Sequence, residues 1–481
     1  MINKLTSAIR NLSDRTIKII GYVLVISYYF IGLLSYITNP IKSFYLIFVS
    51  TSIVAIIMRA ALCGLICIYS IMVLIKYELK VKCKWLCLFL FLLFMTLISI
   101  LLSPLQYEYM YVDNLYKVVH AVQLNPGVPR TIVMFFSSIA DFAFAFCILF
   151  VLPYVINDKK KLLYLLIPIV LICLLECGYS AIKEKENYIY LFNHPDDPFG
   201  GYNNDIGATF GNKEDWGSFL TVSFTASIFS FYFIKGDTPF KKLLKVFFIG
   251  CCGIFTVFAV LSLCKTAMLA MLLFYICLAI GIAVHSIKKS KISAIVTIST
   301  LSVILAAIIL FFVTNGFGVR FLGKIKDFLI NFIINRSASA VESRQALWLN
   351  YMENVRGFNL FFGMGKANVF SYTKSLTPDR QSGIHNGFAY FFACYGLFGI
   401  LTLAVLFYIV IRNFIKLWRS EKYLIFILFG ALLASVSFIL AESEVLIIST
   451  SIPIYVFNIL LCVLPSGLCL VNNKEVCNNE K

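Results

Sequence analysis

Repeated apolar stretches of about 20 residues constrain this chain most, because a helix of that length crosses the hydrocarbon core of a bilayer. These stretches recur along all 481 residues and are separated by more polar segments. Hydrophobic residues make up 60% of the chain and charged residues only 14%, which excludes an ordinary soluble globular protein. The sequence therefore predicts an all-α integral membrane protein with about twelve transmembrane helices.

The twelve predicted spans are separated by connections of very different length. They lie at about 18–38, 43–76, 85–104, 131–152, 162–182, 215–235, 243–262, 266–286, 292–314, 386–411, 421–440 and 446–470. The second span is too long for one straight crossing, so it either tilts or divides near Arg59. Two crossings there would place the basic N-terminus outside, against the positive-inside rule, so one crossing is expected.

Basic residues set the predicted orientation, because they collect in alternate connections near positions 80, 160, 240, 289 and 416. This pattern places both termini in the cytoplasm. The chain is then a single polytopic membrane domain over residues 1–481, with one long outer loop over residues 315–385. That loop carries nine basic and four acidic residues, a net charge of +5, and a short amphipathic helix is expected within it at 342–355. The positive charge indicates an anionic ligand on the outer face.

Several function classes are excluded by the remaining patterns. The 15 cysteines lie mostly inside spans and form no CxxC pair, so packing residues are expected rather than disulfides or a metal site. Gly363-Met364-Gly365 lacks a preceding strand and a third glycine, so it is not a nucleotide-binding fingerprint. The formal charge of +17 reflects basic cytoplasmic loops beside anionic lipids, not a nucleic-acid surface.

Four polar residues at predicted outer boundaries are candidates for chemistry. His385 precedes the tenth span, where it is either an interfacial polar residue or a base that accepts a proton from a hydroxyl. Lys265 lies in a minimal turn between two spans, where it either reaches the interface or directs a cation into an outer cavity. Arg344 and Arg356 are either solvated loop charges or ligands for a diphosphate.

Four motifs occur in order along residues 200–410. They are Phe210-Gly211-Asn212-Lys213, Leu263 to Ala267, Ser343-Arg344 through Trp348 followed by Gly363-x-Gly365, and His385-Asn386 followed by Gly396-Leu-Phe-Gly399. Their order and spacing resemble the O-antigen ligase and O-antigen polymerase superfamily of bacterial envelope glycosyltransferases. Lys265 stands where that family usually has arginine, and Gly387 stands where many ligases have an acidic residue.

The resemblance implies a GT-C-type fold and a metal-independent enzyme without cofactors in the bacterial inner membrane. Such an enzyme moves an undecaprenyl-diphosphate-linked glycan to an acceptor sugar hydroxyl on the periplasmic face. Arg344 and Lys265 would stabilise the departing diphosphate, and His385 would orient or deprotonate the acceptor. The implied substrate-binding residues are Arg356, Lys213, Asn386 and Lys366.

Two acceptors remain open at this point. A ligase uses lipid A-core, whereas a polymerase uses a second lipid-linked glycan and works with a chain-length regulator. The spacing after His385 and the stretch Ser451-Ile452-Pro453 favour the ligase. The alternatives of another class are a secondary transporter, which predicts inverted repeats with broken helices, and a non-catalytic scaffold, which leaves the charge of the long loop unexplained.

Overall fold

The computed structural model of the chain describes ten ranges and several isolated positions. The ranges are 2–36, 52–79, 109–112, 120–123, 146–193, 213–289, 357–365, 386–418, 421–441 and 457–469, and the isolated positions are 90, 94, 97, 98, 208, 355 and 369. These residues are almost entirely helical, as expected for an all-α protein.

The helices are numbered in chain order. They are α1 (Ile2–Asn11), α2 (Asp14–Tyr36), α3 (Ser52–Lys76), α4 (Lys159–Lys183), α5 (Lys185–Asn193), α6 (Lys213–Phe233), α7 (Pro239–Leu261), α8 (Lys265–Lys289), α9 (Phe358–Phe362), α10 (Gly387–Leu417) and α11 (Lys422–Ala441). Short π-helical turns occupy Cys147–Val151 and Ile459–Val463. One antiparallel pair, β1 (Tyr109–Val112) with β2 (His120–Gln123), sets Tyr109 opposite Gln123.

Within the described ranges, five helical segments are long and apolar enough to cross a membrane. They are Leu162–Lys183, Pro239–Leu261, Lys265–Val284, Gly387–Leu417 and Lys422–Leu440. All five coincide with predicted spans, so the prediction of a helical membrane protein is confirmed. The predicted spans at 85–104 and 292–314 lie largely or wholly outside the described residues.

The described part of the long second span is one helix. Helix α3 runs without interruption from Ser52 to Lys76 and passes Arg59 without a break. The first part of the predicted span, at 43–51, lies outside the described residues. The alternative in which the chain divides near Arg59 is therefore wrong.

The chain divides into two compact units. Unit 1 comprises Met1–Leu165, Arg344–Ser420 and Ser435–Lys481, and unit 2 comprises Leu166–Ser343 and Glu421–Ala434. In unit 1, the hydroxyl of Tyr69 on α3 donates to the carbonyl of Ile17 on α2 at 3.0 Å. Gly21 admits that ring, because any Cβ there would overlap the tyrosine side chain. This contact fixes where α2 and α3 meet.

Helix α6 forms the centre of unit 2. Every residue from Trp216 to Ser230 is buried, so α6 has no solvent-facing or lipid-facing side over that length. Three of its hydroxyl groups donate to carbonyls four residues earlier, from Thr221 to Gly217 at 2.9 Å, from Thr225 to Thr221 at 2.8 Å and from Ser227 to Ser223 at 2.9 Å. Because these polar groups are satisfied within the helix, they are tolerated in an apolar core.

Candidate functional site

Helix α10 is broken at Gly396, close to the outer end predicted for it. Gly396 has φ +62° and ψ −154°, a conformation that interrupts the helical hydrogen-bond ladder. The carbonyls just before such a break have no helical partner. Here the amide of Met364 donates to the carbonyl of Ala393 at 2.8 Å, and the amide of Gly365 donates to Cys394 at 3.1 Å. A separate backbone segment thus completes the broken helix.

Glycine is required on both sides of this contact. A Cβ atom at Gly396 would lie 2.5 Å from the carbonyl carbon of Phe361 and 2.6 Å from the amide nitrogen of Gly363. A Cβ atom at Gly363 would overlap the backbone of Cys394. Gly363 and Gly396, one from each glycine motif, therefore form one packing contact, and the amides of Met364 and Gly365 donate to helix carbonyls.

Asn386 determines where α10 begins. Its side-chain oxygen accepts a hydrogen bond from the amide of Ala389 at 3.0 Å, and its carbonyl accepts from the amide of Tyr390 at 2.8 Å. This is the N-cap arrangement, which asparagine favours because its side chain satisfies a first-turn amide. Asn386 thus has a structural role beyond the predicted substrate binding, and it fixes the backbone directly after His385.

In unit 2, helices α6 and α8 begin side by side. A Cβ atom at Gly217 would overlap the side chain of Cys264 and lie 3.1 Å from the Cβ of Ala267, so the first turns of the two helices are in close contact. Helix α6 begins with Lys213 and α8 begins with Lys265. Two predicted site residues of unit 2 therefore lie at the same end of its helices.

A tight turn places Lys265. Helix α7 ends at Leu261, and Ser262 donates its amide to the carbonyl of Phe258 at 2.8 Å. Leu263 then takes φ +57°, which reverses the chain within three residues. The buried side chain of Leu263 packs against Leu191 of α5. Lys265 is consequently the half-buried first residue of α8.

A polar cluster at the α4–α5 junction was not found from the sequence. Lys183 donates to the carbonyl of Ala208 at 3.0 Å and lies 3.6 Å from the carboxylate of Glu184. Glu184 is buried and accepts a hydrogen bond of 2.6 Å from Asn187. The sequence feature that could have indicated this cluster is the run of charged residues at 183–186, directly after a predicted span.

Tyr188 belongs to the same junction. Its hydroxyl is hydrogen-bonded to Ser180, and its ring contacts Phe258 edge to face with centroids 6.1 Å apart. Burial raises the pKa of Tyr188 to about 12, and the negative charge of Glu184 adds to that increase. The junction therefore connects α4, α5 and α7 at the end of unit 2 where Lys265 lies.

The remaining predicted site residues lie outside the described part of the chain. They are His385, Arg344, Arg356 and Lys366. Lys213 and Lys265 belong to unit 2, and Asn386 belongs to unit 1. The roles that the resemblance implies for His385, Arg344 and Lys265 stay predictions. Among the described residues, no group of three or more His, Cys, Asp or Glu side chains is placed to hold a metal ion.

Comparison with known proteins adds no family to these observations. No family model matches the chain. A search of curated proteins also finds no match. The resemblance to the O-antigen ligase and polymerase superfamily therefore stays a prediction from the sequence motifs. The glycine-containing parts of two of these motifs meet at the break in α10.

Proposed function

We propose that this protein is a membrane glycosyltransferase that moves an undecaprenyl-diphosphate-linked glycan to a sugar hydroxyl on the periplasmic face of the bacterial inner membrane. The acceptor in this proposal is lipid A-core, which makes the enzyme an O-antigen ligase. A repeat-unit polymerase acting on a second lipid-linked glycan is the alternative. The proposal includes the twelve-span GT-C architecture with both termini in the cytoplasm.

One observation carries the proposal: α6 and α8 begin together, and each begins with a lysine. Helix N-termini carry a partial positive charge and favour anions, as does the lysine ammonium group. In α6, Glu214 and Asp215 in the first turn offset that charge. The first turn of α8 contains no acidic residue, so Lys265 is the preferred cation for a diphosphate.

The chemistry requires a cation where the leaving group develops charge. When the glycosyl bond breaks, negative charge accumulates on the lipid diphosphate, and a fixed cation stabilises that transition state more than the ground state. Lys265 supplies this charge, assisted by Arg344 and Arg356 of the long loop. Lys213 and Lys366 bind the donor in the same proposal.

The second requirement is a base for the acceptor hydroxyl. His385 fills that role because a neutral imidazole can accept a proton near neutral pH. The Asn386 cap and the glycine contact at Gly396 support this assignment, since they fix the helix start next to His385. No cofactor or metal ion takes part in the proposed reaction.

The break in α10 also favours a second candidate, a secondary transporter, because transporters often bind ions at interrupted helices. Carbonyls freed by such a break coordinate the transported ion. In α10 the carbonyls of Ala393 and Cys394 already accept hydrogen bonds from Met364 and Gly365. Glycosyl transfer is therefore the better-supported function.

The test is transfer by the purified protein in liposomes that contain the lipid-linked glycan donor. Lys265→Ala is expected to reduce the rate about a hundredfold at unchanged expression, because it removes a charge used mainly in the transition state. Lys265→Arg is expected to retain activity. Lys242→Ala, an exposed lysine in the first turns of α7, is the control and should transfer at the normal rate.

Separate acceptors distinguish the two versions of the proposal. Transfer to lipid A-core supports the ligase, and transfer to a second lipid-linked glycan supports the polymerase. If Lys265→Ala transfers glycan as fast as Lys242→Ala, the diphosphate site at α8 is wrong. If the unaltered protein transfers to neither acceptor, the glycosyltransferase proposal itself is wrong.

A further inference from the structure

Helix α1 has an apolar stripe that unit 1 covers only in part. Leu5 and Ile9 are four residues apart in α1, so they form an apolar stripe along one face of the helix. Ile9 is buried, at 7% exposure, whereas Leu5 is 61% exposed. The described part of unit 1 therefore does not cover Leu5, at the N-terminal end of the stripe.

The position of α1 is fixed by polar contacts with the end of α3. Lys76 donates to the carbonyl of Arg10 at 2.7 Å and lies 3.8 Å from the carboxylate of Asp14. The Arg10 side chain lies 3.2 Å from that of Glu78. These contacts hold α1 at the level where α2 begins and α3 ends, which is the polar boundary of two apolar helices.

One face of α2 carries a basic residue followed by exposed apolar residues. Arg15, Ile19 and Val23 are spaced by four residues and lie on the same face. All three side chains are exposed, with Ile19 at 53% and Val23 at 54%. An exposed apolar face below an arginine places that arginine about one helical turn above the acyl chains, at the depth of lipid head groups.

Both α1 and α2 carry an exposed basic side chain near this boundary. Lys4 of α1 and Arg15 of α2 are exposed, and among the described residues neither makes an ion pair. Asp14, the acidic residue in the first turn of α2, is already close to Lys76. On α1 the exposed Lys4 is next to the exposed Leu5, and on α2 the exposed Arg15 is one turn from the exposed Ile19. Each helix therefore carries a cation beside an apolar side chain, which is the pattern of an interfacial membrane helix.

We propose that α1 is an interfacial helix that binds the anionic head groups of the membrane leaflet at the start of α2. Leu5 enters the boundary between head groups and acyl chains, and Lys4 and Arg15 contact lipid phosphates. The occupant is lipid because α1 is held beside two apolar helices at the polar edge of the membrane. This inference is independent of the proposed glycosyl transfer.

The test uses the full-length protein in nanodiscs of phosphatidylcholine alone or mixed with phosphatidylglycerol. An environment-sensitive fluorescent amino acid replaces Leu5, and in a matched variant it replaces Ser7, an exposed residue away from the stripe. Brominated lipids should quench the probe at position 5 and leave the probe at position 7 unquenched. Quenching at position 5 should increase when phosphatidylglycerol is present and decrease when salt is added.

Neutralising the cations supplies the second measurement. Each basic side chain near an anionic surface strengthens docking by about fivefold, so Lys4→Gln with Arg15→Gln should largely remove the effect of phosphatidylglycerol. Lys185→Gln with Lys235→Gln, two exposed lysines elsewhere, should leave it unchanged. Equal quenching at positions 5 and 7 would overturn the proposal. Quenching at position 5 that is independent of phosphatidylglycerol would also overturn it.

Discussion

Replacing Gly396 with alanine tests the central contact of unit 1. At φ +62° and ψ −154° the new side chain costs about 1–3 kcal/mol in backbone strain alone. Its Cβ would lie 2.5 Å from the carbonyl carbon of Phe361, so the segment leading to Gly365 must move away. That movement breaks two backbone hydrogen bonds, worth about 1 kcal/mol each. The expected total is about 3–5 kcal/mol.

Two other glycines of unit 1 separate the contributions. Gly357 has φ +57° but open space around its Cβ position, so Gly357→Ala should lose only the strain, about 1–3 kcal/mol. Gly64 lies inside α3, also with open space, so Gly64→Ala should be neutral or slightly stabilising. Denaturant unfolding of the purified protein in detergent gives the three differences in unfolding free energy.

The order of the three variants decides the outcome. Gly396→Ala should be the least stable, and glycan transfer should fall with it because the start of α10 near His385 shifts. If Gly396→Ala unfolds at the same denaturant concentration as Gly357→Ala, the backbone contact with residues 361–365 contributes nothing. The reasoning that joins the two glycine motifs would then be refuted.

Two further predictions concern unit 2. Gly217→Ala should lower the free energy of unfolding by about 1–3 kcal/mol, because the added Cβ overlaps Cys264. In the double variant with Cys264→Ala, denaturant unfolding should show that part of this stability is recovered. If Gly217→Ala alone is as stable as the unaltered protein, the contact with Cys264 is contradicted. Tyr188, whose folded pKa is about 12 against 10.0 for the free group, favours folding below about pH 10 and loses that contribution between pH 10 and 12. This loss of stability, up to about 2–3 kcal/mol, should be absent in Tyr188→Phe. Tyrosinate absorbance follows the ionisation, and denaturant unfolding at each pH gives the stability. Equal losses of stability in both proteins would contradict the prediction.

The positions of the five apolar spans in the described residues could be predicted from the sequence, because each is a stretch of about 20 apolar residues, long enough to cross the membrane. Their ends were less accurate. Helix α7 begins at Pro239, earlier than predicted, because Thr238 caps it and proline suits the first helical position. Helix α10 continues to Leu417, beyond the predicted end, and its last turns keep Phe414 and Leu417 buried although Arg412 and Lys416 interrupt the apolar run there.

The break in α10 could not be predicted, because hydropathy is continuous across Gly396. It depends on hydrogen bonds from Met364 and Gly365, which are about 30 positions away in the chain. For the candidate site, the short connection before Lys265 correctly indicated a turn. The Lys183 and Glu184 cluster was missed because its partner is the carbonyl of Ala208, a backbone group that no sequence pattern marks.

The burial of α6 has a consequence for how the protein is made. Helix α6 packs against α7, where the thiol of Cys252 donates to the carbonyl of Phe224 at 3.9 Å, and against α8, where Phe224 contacts Phe274. Yet α6 is not among the five apolar spans found in the described residues. A segment this rich in serine and threonine partitions weakly into lipid from the translocon. We therefore expect its stable insertion to depend on α7 and α8, which are synthesised later. Truncation of the chain before α8 should leave α6 unprotected and expose the nascent protein to membrane quality control.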